Sequence, residues 1–557
     1  MKYPPGIPLC AGKMRNIDER KEHGMKTLYV HIGSPKTAST ALQFFCVDNS
    51  DLLNQKGYCY PLFPQTYPDA SRIRAYFLVV RLKNRLGRRS RRWEEKVFQE
   101  GMAVIHKSFE TYDNVIISDE RIWRSMDIER KELWKKLAAE GRKGGFQIRV
   151  IAYVRRQDKF LISLWNQQIK IIKVELAKCT IEEWMDKVNL RARLEYADKL
   201  DRIAKVIGKE NVIVRRFDGS FEGGSIYADF LSAVGLSLTD EYEIKQEVVN
   251  IGLYGNTQEL KRVINFLPQM IKDRNTQNFI MEMLQECSEA SKKNYPCEML
   301  SKEEIEALLK EYEAGNRKIA EEYLHDSTGQ LFNNTIKDLP KWQKDNPYIL
   351  DDLIRFANVA MENLYQKHQE AKADLKELEE SLKALCKAEE ADQPAEEQAD
   401  IDDKTAAAAS EKLPVWNKED PDGIDELILF VGDAIIRLYQ ENRELKKTIK
   451  KLKTLTEDAD FRGEALEQRG ADFDFRCFTA DCDTAELKEM IRQIPEPGEE
   501  GSDLADRFIR ATDLAANGMY QENNRLKRET EEIKSFMGYE EEQPQMQKTL
   551  LERILKK

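Results

Sequence analysis

The stretch "LYVHIGSPKTAST" at residues 28–40 sets one ammonium, Lys36, among the hydroxyls of Ser34, Thr37, Ser39 and Thr40. An apolar run enters a turn containing Gly33, Pro35 and Ala38, and "STALQFF" after it has the composition of a helix start. A strand, a small-residue turn and a helix N-terminus, in that order, present backbone N–H groups to an anion. A nucleotide-hydrolysing loop would read G-x-x-x-x-G-K-S/T. Counted from Gly33, its second glycine is Ala38 and its lysine is Ser39; only Thr40 fits. The chemistry on offer is a phosphate cradle whose cation stands early in the loop.

Other residues could share in that chemistry. Arg155 is the first of the two arginines that end the run "QIRVIAYVRR", and Ser163 follows it eight residues later. A guanidinium fork suits a phosphate monoester, and a hydroxyl on the next helix can reach the same group. Arg156 reads equally as a ligand and as a solvated neighbour. "NVIISDERIW" ends another apolar run with Asp119 and Glu120. A carboxylate or imidazole can take a proton from a hydroxyl, which makes Glu120 the first candidate base and His31 the second. The plainer readings are helix capping by either carboxylate and a core hydrogen bond for His31.

The elements that must position these groups follow from the pattern. "TLYVHIG", "NVIISDE", "QIRVIAYVRR" and "NVIVRRF" are short, β-branched and bounded by turn residues, as buried parallel strands are. Amphipathic segments such as "KELWKKLAAEG" lie between them. This alternation predicts a doubly wound α/β sheet over residues 25–332, with ligands beyond the carboxyl ends of its strands.

The chain has 557 residues, 34% of them charged, and a formal net charge of -11. That length implies two or more domains, and the charge argues against a protein that coats nucleic acid. The run "RLKNRLGRRSRRW" (81–93) reverses the sign locally and reads as a solvated face or as an attraction for an anionic acceptor. No stretch approaches the ~20 apolar residues of a membrane helix. Residues 1–24 have no apolar core and read as a flexible leader. The nine cysteines are scattered, and "CFTADC" (Cys477, Cys482) reads as chance spacing rather than a metal site. Reduced thiols in a cytoplasm are the simplest expectation, with no metal required.

Beyond the α/β region a motif repeats. "LPKWQKDNPYILDDLIRFANVAMENLYQKH" begins at Leu339, and "LPVWNKEDPDGIDELILFVGDAIIRLYQEN" begins 74 residues later at Leu413. A weaker copy begins at Ile494, a further 81 residues on. The copies imply helical repeats over 339–387, 413–456 and 494–557, with an acidic linker at 388–412 and a linker with short helices at 457–493. Ile428, Val431, Ile435, Leu438, Asn442, Leu445, Ile449 and Leu452 fall at alternating a and d heptad positions. Ile354, Met361, Leu364 and His368 answer them in the first copy, and Ile509, Met519, Asn523 and Leu526 in the third. A polar residue thus recurs at one a position, the kind of device that fixes coiled-coil register. The expectation is a homo-oligomer through these heptads; the alternative is that the three helices pack on one another or on the globular domain.

The loop "HIGSPKTAST" followed by "ALQ", together with "VIAYVRRQDKFLISLWNQ" (150–167), resembles the PAPS-dependent sulfotransferases, in particular bacterial carbohydrate-type members. The resemblance covers residues 26–332. It implies a P-loop-like fold that binds PAPS at Gly33, Ser34, Pro35, Lys36, Thr37, Ala38, Ser39 and Thr40, with Lys36, Thr37, Ser39 and Thr40 on the 5′-phosphate and Arg155 and Ser163 on the 3′-phosphate. It implies catalysis by Lys36 with Glu120 or His31 as base, sulfuryl transfer to a hydroxyl acceptor such as a glycan, and release of PAP. Similar domains carry Ser-Glu or Asp-Glu where Asp119 and Glu120 stand. The one departure is Ala38, where the family's loop has Gly; alanine costs little there if its φ is negative. The competing readings are a P-loop kinase-like phosphotransferase and an inactive scaffold that works through its repeats.

Overall fold

A computed structural model of the chain describes residues 25–64, 71–80, 90–124, 132–170, 175–245, 252–387, 423–457, 484–501 and 503–537. The leader, most of the basic run, the acidic linker and the Cys477–Cys482 pair lie outside the described residues. The chain divides into two units. One holds Met1–Gln167, Thr180–Asn250 and Glu298–Lys341; the other holds Gln168–Cys179, Ile251–Cys297 and Trp342–Lys557.

The first unit is α/β. Its strands β1 (Lys26–His31), β2 (Tyr58–Cys59), β3 (Asn114–Ser118), β4 (Phe146–Val154) and β5 (Val212–Arg216) form one sheet in the order β2-β3-β1-β4-β5. Every pairing is parallel. Both faces are covered, which is why the strands read as continuous apolar runs rather than alternating ones. Leu28, Val30, Val115, Ile117, Ile148 and Val150 enter one core, while Tyr29, Ile116, Ile151 and Tyr153 enter the opposite one. Helix α1 (Ser39–Asp48) follows β1, and α2 (Gln157–Lys170) follows β4.

The second unit is helical and takes in Ile251–Cys297 as well as the chain from Trp342 onward. Helices α3 (Asn256–Ile264) and α4 (Arg274–Asn294) bury Leu260, Ile264, Phe279 and Ile280 in a core shared with Ile354, Phe356 and Ile435. The later segment Glu298–Lys341 returns to the sheet, through Ile319, Ala320, Tyr323, Leu331 and Phe332. Helices α5 (Ile349–Lys387), α6 (Gly423–Glu457) and α7 (Leu504–Met537) carry the three repeats and pack on one another. All the heptad residues named above are buried within this one chain. The reason for expecting a second copy is thus used up internally. Contacts rise together along the two helices: Asn442 Nδ2 donates to the Leu364 carbonyl at 3.1 Å, and Lys453 pairs with Glu377 at 2.6 Å. Repeats one and two therefore run parallel. Parallel helices in one chain need a connection that returns the helix length, roughly 50 Å at 1.5 Å per residue, so the repeats are widely spaced in sequence.

If these seams close inside the chain, Ile435→Ala should cost about 2–5 kcal/mol of stability. Denaturant unfolding followed by circular dichroism checks this; an unchanged midpoint would show that the seam is not a buried core.

Candidate functional site

The sheet grows outward from β1 in both directions, so the strand-end loops of β3, β1 and β4 open side by side. That is where an open α/β sheet binds ligands. Hydrogen bonds carry the strand pairing past β1 into the loop, with Ile32 N donating to Ile151 O at 2.9 Å and Ser34 N to Tyr153 O at 2.8 Å. On the other side Asp119 N donates to His31 O at 3.0 Å. The loop is held from both neighbours.

Its backbone is left-handed at Gly33 (φ 30), Lys36 (φ 71) and Ala38 (φ 56). Such turns aim N–H groups into a concavity that fits an anion. Ala38 is the N-cap of α1, and its positive φ corrects the expectation of a small cost: an L-residue there is strained by roughly 1–2 kcal/mol. Gly33 is required for a second reason, since a Cβ would stand 2.8 Å from Ser39 Oγ, 3.1 Å from Thr37 Oγ1 and 3.2 Å from His31 Nε2. Thr37 Oγ1 closes the turn by donating to Ser34 O at 2.6 Å. Pro35 is buried and Thr40 exposed. Ser34 Oγ, Ser39 Oγ and His31 Nε2 are buried without a hydrogen-bond partner among the described residues. Each such atom costs roughly 1–3 kcal/mol until something bonds it.

Two cations bracket the loop. Lys36 is half-buried, and burial holds its ammonium below the usual lysine value; the Arg155 charge adds to this and Glu120 works against it. Arg155 Nη1 donates to the Lys36 carbonyl at 3.2 Å, and its guanidinium lies 5.6 Å from the Phe217 ring. The two charges lie close enough for each to be felt by the other. Ser163 stands half-buried on α2 and is not among the groups these contacts join. Arg156 has a structural task instead: it forks onto Asp158 at 2.8 and 2.9 Å and donates to the carbonyls of Asn333 and Thr335.

Of the two carboxylates, Asp119 is buried and bound by Arg121 through Nε at 2.9 Å and Nη2 at 2.5 Å. Glu120 is the one whose charge is felt at Lys36. It accepts from Arg74 Nη1 at 2.9 Å and from Gln43 Nε2 at 3.3 Å. His31 is fully buried, with Nδ1 2.9 Å from Ser118 Oγ, and burial lowers its pKa from 6.5 to about 4. That is poorly matched to a general base at neutral pH. Arg74, Gln43 and Ser118 are the site residues that sequence reasoning missed. Gln43 lay in view as the last residue of "ALQ"; Arg74 and Ser118 carried no spacing signal. In the basic run, Arg91 and Arg92 are described, and both are exposed at a helix start.

No family model, no curated protein and no solved structure matches the chain. No helix among the described residues is long and apolar enough to cross a membrane.

The His31 shift has a signed consequence. The unfolded chain takes up a proton near pH 6.5, whereas the folded chain resists until about 4. The stabilisation is complete above pH 6.5 and is lost as pH falls to about 4, by about 3 kcal/mol. Denaturant midpoints across that window should slope less in His31→Gln than in the wild type; identical slopes would contradict the burial of a neutral imidazole.

Proposed function

We propose that the α/β unit is a PAPS-dependent sulfotransferase with a P-loop-like sheet, acting on a hydroxyl acceptor of carbohydrate type. The observation that carries the reading is the Arg155 guanidinium bonded to the backbone of Lys36 in a left-handed loop with buried hydroxyls unpartnered among the described residues. The donor carries a 5′-phosphosulfate and a 3′-phosphate, and this donor set fits its anionic ends. By resemblance, the loop 33–40 takes the 5′ end, and Arg155 with Ser163 takes the 3′ end.

When bound, PAPS supplies an activated sulfuryl group. The acceptor oxygen forms a bond to sulfur while the sulfur–oxygen bond to the 5′-phosphate breaks, giving a sulfate ester and PAP. Lys36 neutralises the charge that builds on the bridging oxygen, a fixed electrostatic aid of the kind that dominates such transfers. Glu120 takes the hydroxyl proton. Arg74 and Gln43 hold its carboxylate in place at the crevice.

With saturating PAPS, Lys36→Ala should lower transfer by about a hundredfold or more, and wild-type transfer should persist in EDTA. Wild-type turnover by the variant, or abolition of transfer by EDTA as for a Mg²⁺-dependent kinase, would contradict the reading.

A further inference from the structure

Four side chains form a chain of hydrogen bonds from the surface of the crevice to the floor of the loop. Arg74 Nε donates to Gln43 Oε1 at 3.0 Å. A guanidinium only donates, so the Gln43 atom facing it must be the oxygen, and the amide orientation is settled. Gln43 Nε2 then faces Ser118 Oγ at 3.0 Å and Glu120 Oε2 at 3.3 Å, and it donates to both. Having accepted from Gln43, the Ser118 hydroxyl has its own hydrogen to place, and His31 Nδ1 stands 2.9 Å away. A hydroxyl donating to Nδ1 leaves the imidazole proton on Nε2. Nε2 is the unpartnered atom that lies against Gly33, in company with the orphaned Ser34 and Ser39 hydroxyls. Two aromatic rings also flank it, Tyr153 and Phe230, both edge-on, with centroids 5.8 and 5.6 Å away. Neither gives Nε2 a hydrogen-bond partner, and the Tyr153 hydroxyl donates to Asp229 Oδ1 at 2.6 Å.

We infer that His31 is a fixed neutral donor to the phosphate-type oxyanion in the loop, through Nε2–H, and that Arg74, Gln43 and Ser118 are the positioning residues that set its tautomer. This deepens the proposed function and rests on its anion cradle, but it removes His31 from the role of base. Burial keeps the ring neutral, so Nδ1 stays an acceptor for Ser118 and the ring brings no change of charge as the pH moves through the physiological range. A preorganised neutral donor stabilises charge without moving a proton.

The test is ¹⁵N NMR of the full chain labelled only at its five histidines, with the His31 signals assigned by their loss in His31→Gln. The expected spectrum has an unprotonated Nδ1 and a protonated Nε2, and inorganic phosphate or PAP shifts the Nε2 signal. Gln43→Glu would draw the Ser118 hydrogen to its carboxylate, move the imidazole proton to Nδ1 and weaken phosphate binding about tenfold. Should Gln43→Glu fail to fold, Ser118→Ala serves instead, with a mixture of tautomers expected. A protonated Nδ1 in the wild type, an Nε2 signal indifferent to phosphate, or a tautomer unmoved in these variants would overturn the inference. The readout needs no turnover. A chain with Nε2–H and a phosphate response but no sulfate transfer keeps this inference and loses the function above; an active chain with Nδ1–H does the reverse.

Discussion

A parallel sheet that spreads from a central first strand has one place where three strand ends open together, and the site depends on it. β1 contributes the loop with Lys36, β3 brings Glu120, and β4 brings Arg155. Loop hydrogen bonds to both neighbours continue the sheet beyond its strands, so the cradle is anchored on either side. Anchoring matters because the loop holds strained and unsatisfied groups. Positive φ at Lys36 and Ala38, with three buried polar atoms unpaired among the described residues, costs several kcal/mol.

Charge is arranged around that cradle in two layers. Lys36 and Arg155 stand against the loop itself. Arg74 stands one step back, spreading its guanidinium over Gln43, Glu120 and Thr40. The carboxylate of Glu120 therefore sits among cations while remaining partly open, whereas Asp119 next to it is buried and engaged by Arg121. Adjacent carboxylates thus have different partners and different exposure.

Much of this was legible in the sequence because it is local. Strands buried on both faces read as β-branched runs, and the loop's small residues and early lysine stand within thirteen positions. Strand β2 has two residues, too few for any pattern. The φ of Ala38 was not readable, since alanine gives no sign of a left-handed backbone. Arg74, Gln43 and Ser118 meet across separations of 31 and 75 residues, and single polar residues at such distances leave no period to detect. The helical unit teaches the same lesson. Its heptads were plain, but a heptad seam looks identical whether its partner is another copy or another repeat. Here His368 and Asn523 meet at 2.9 Å inside one chain, equivalent positions of the first and third repeats brought into one buried layer. A polar layer of this kind pins register.

The account stands on one claim, that a single crevice grips both phosphorylated ends of an adenosine donor. Calorimetric titration of the chain with adenosine 3′,5′-bisphosphate, and with adenosine 5′-monophosphate for comparison, tests it most directly. Saturable one-to-one binding that weakens at least tenfold without the 3′-phosphate is the predicted result. Equal affinity for the two nucleotides, or no binding of either, would contradict it.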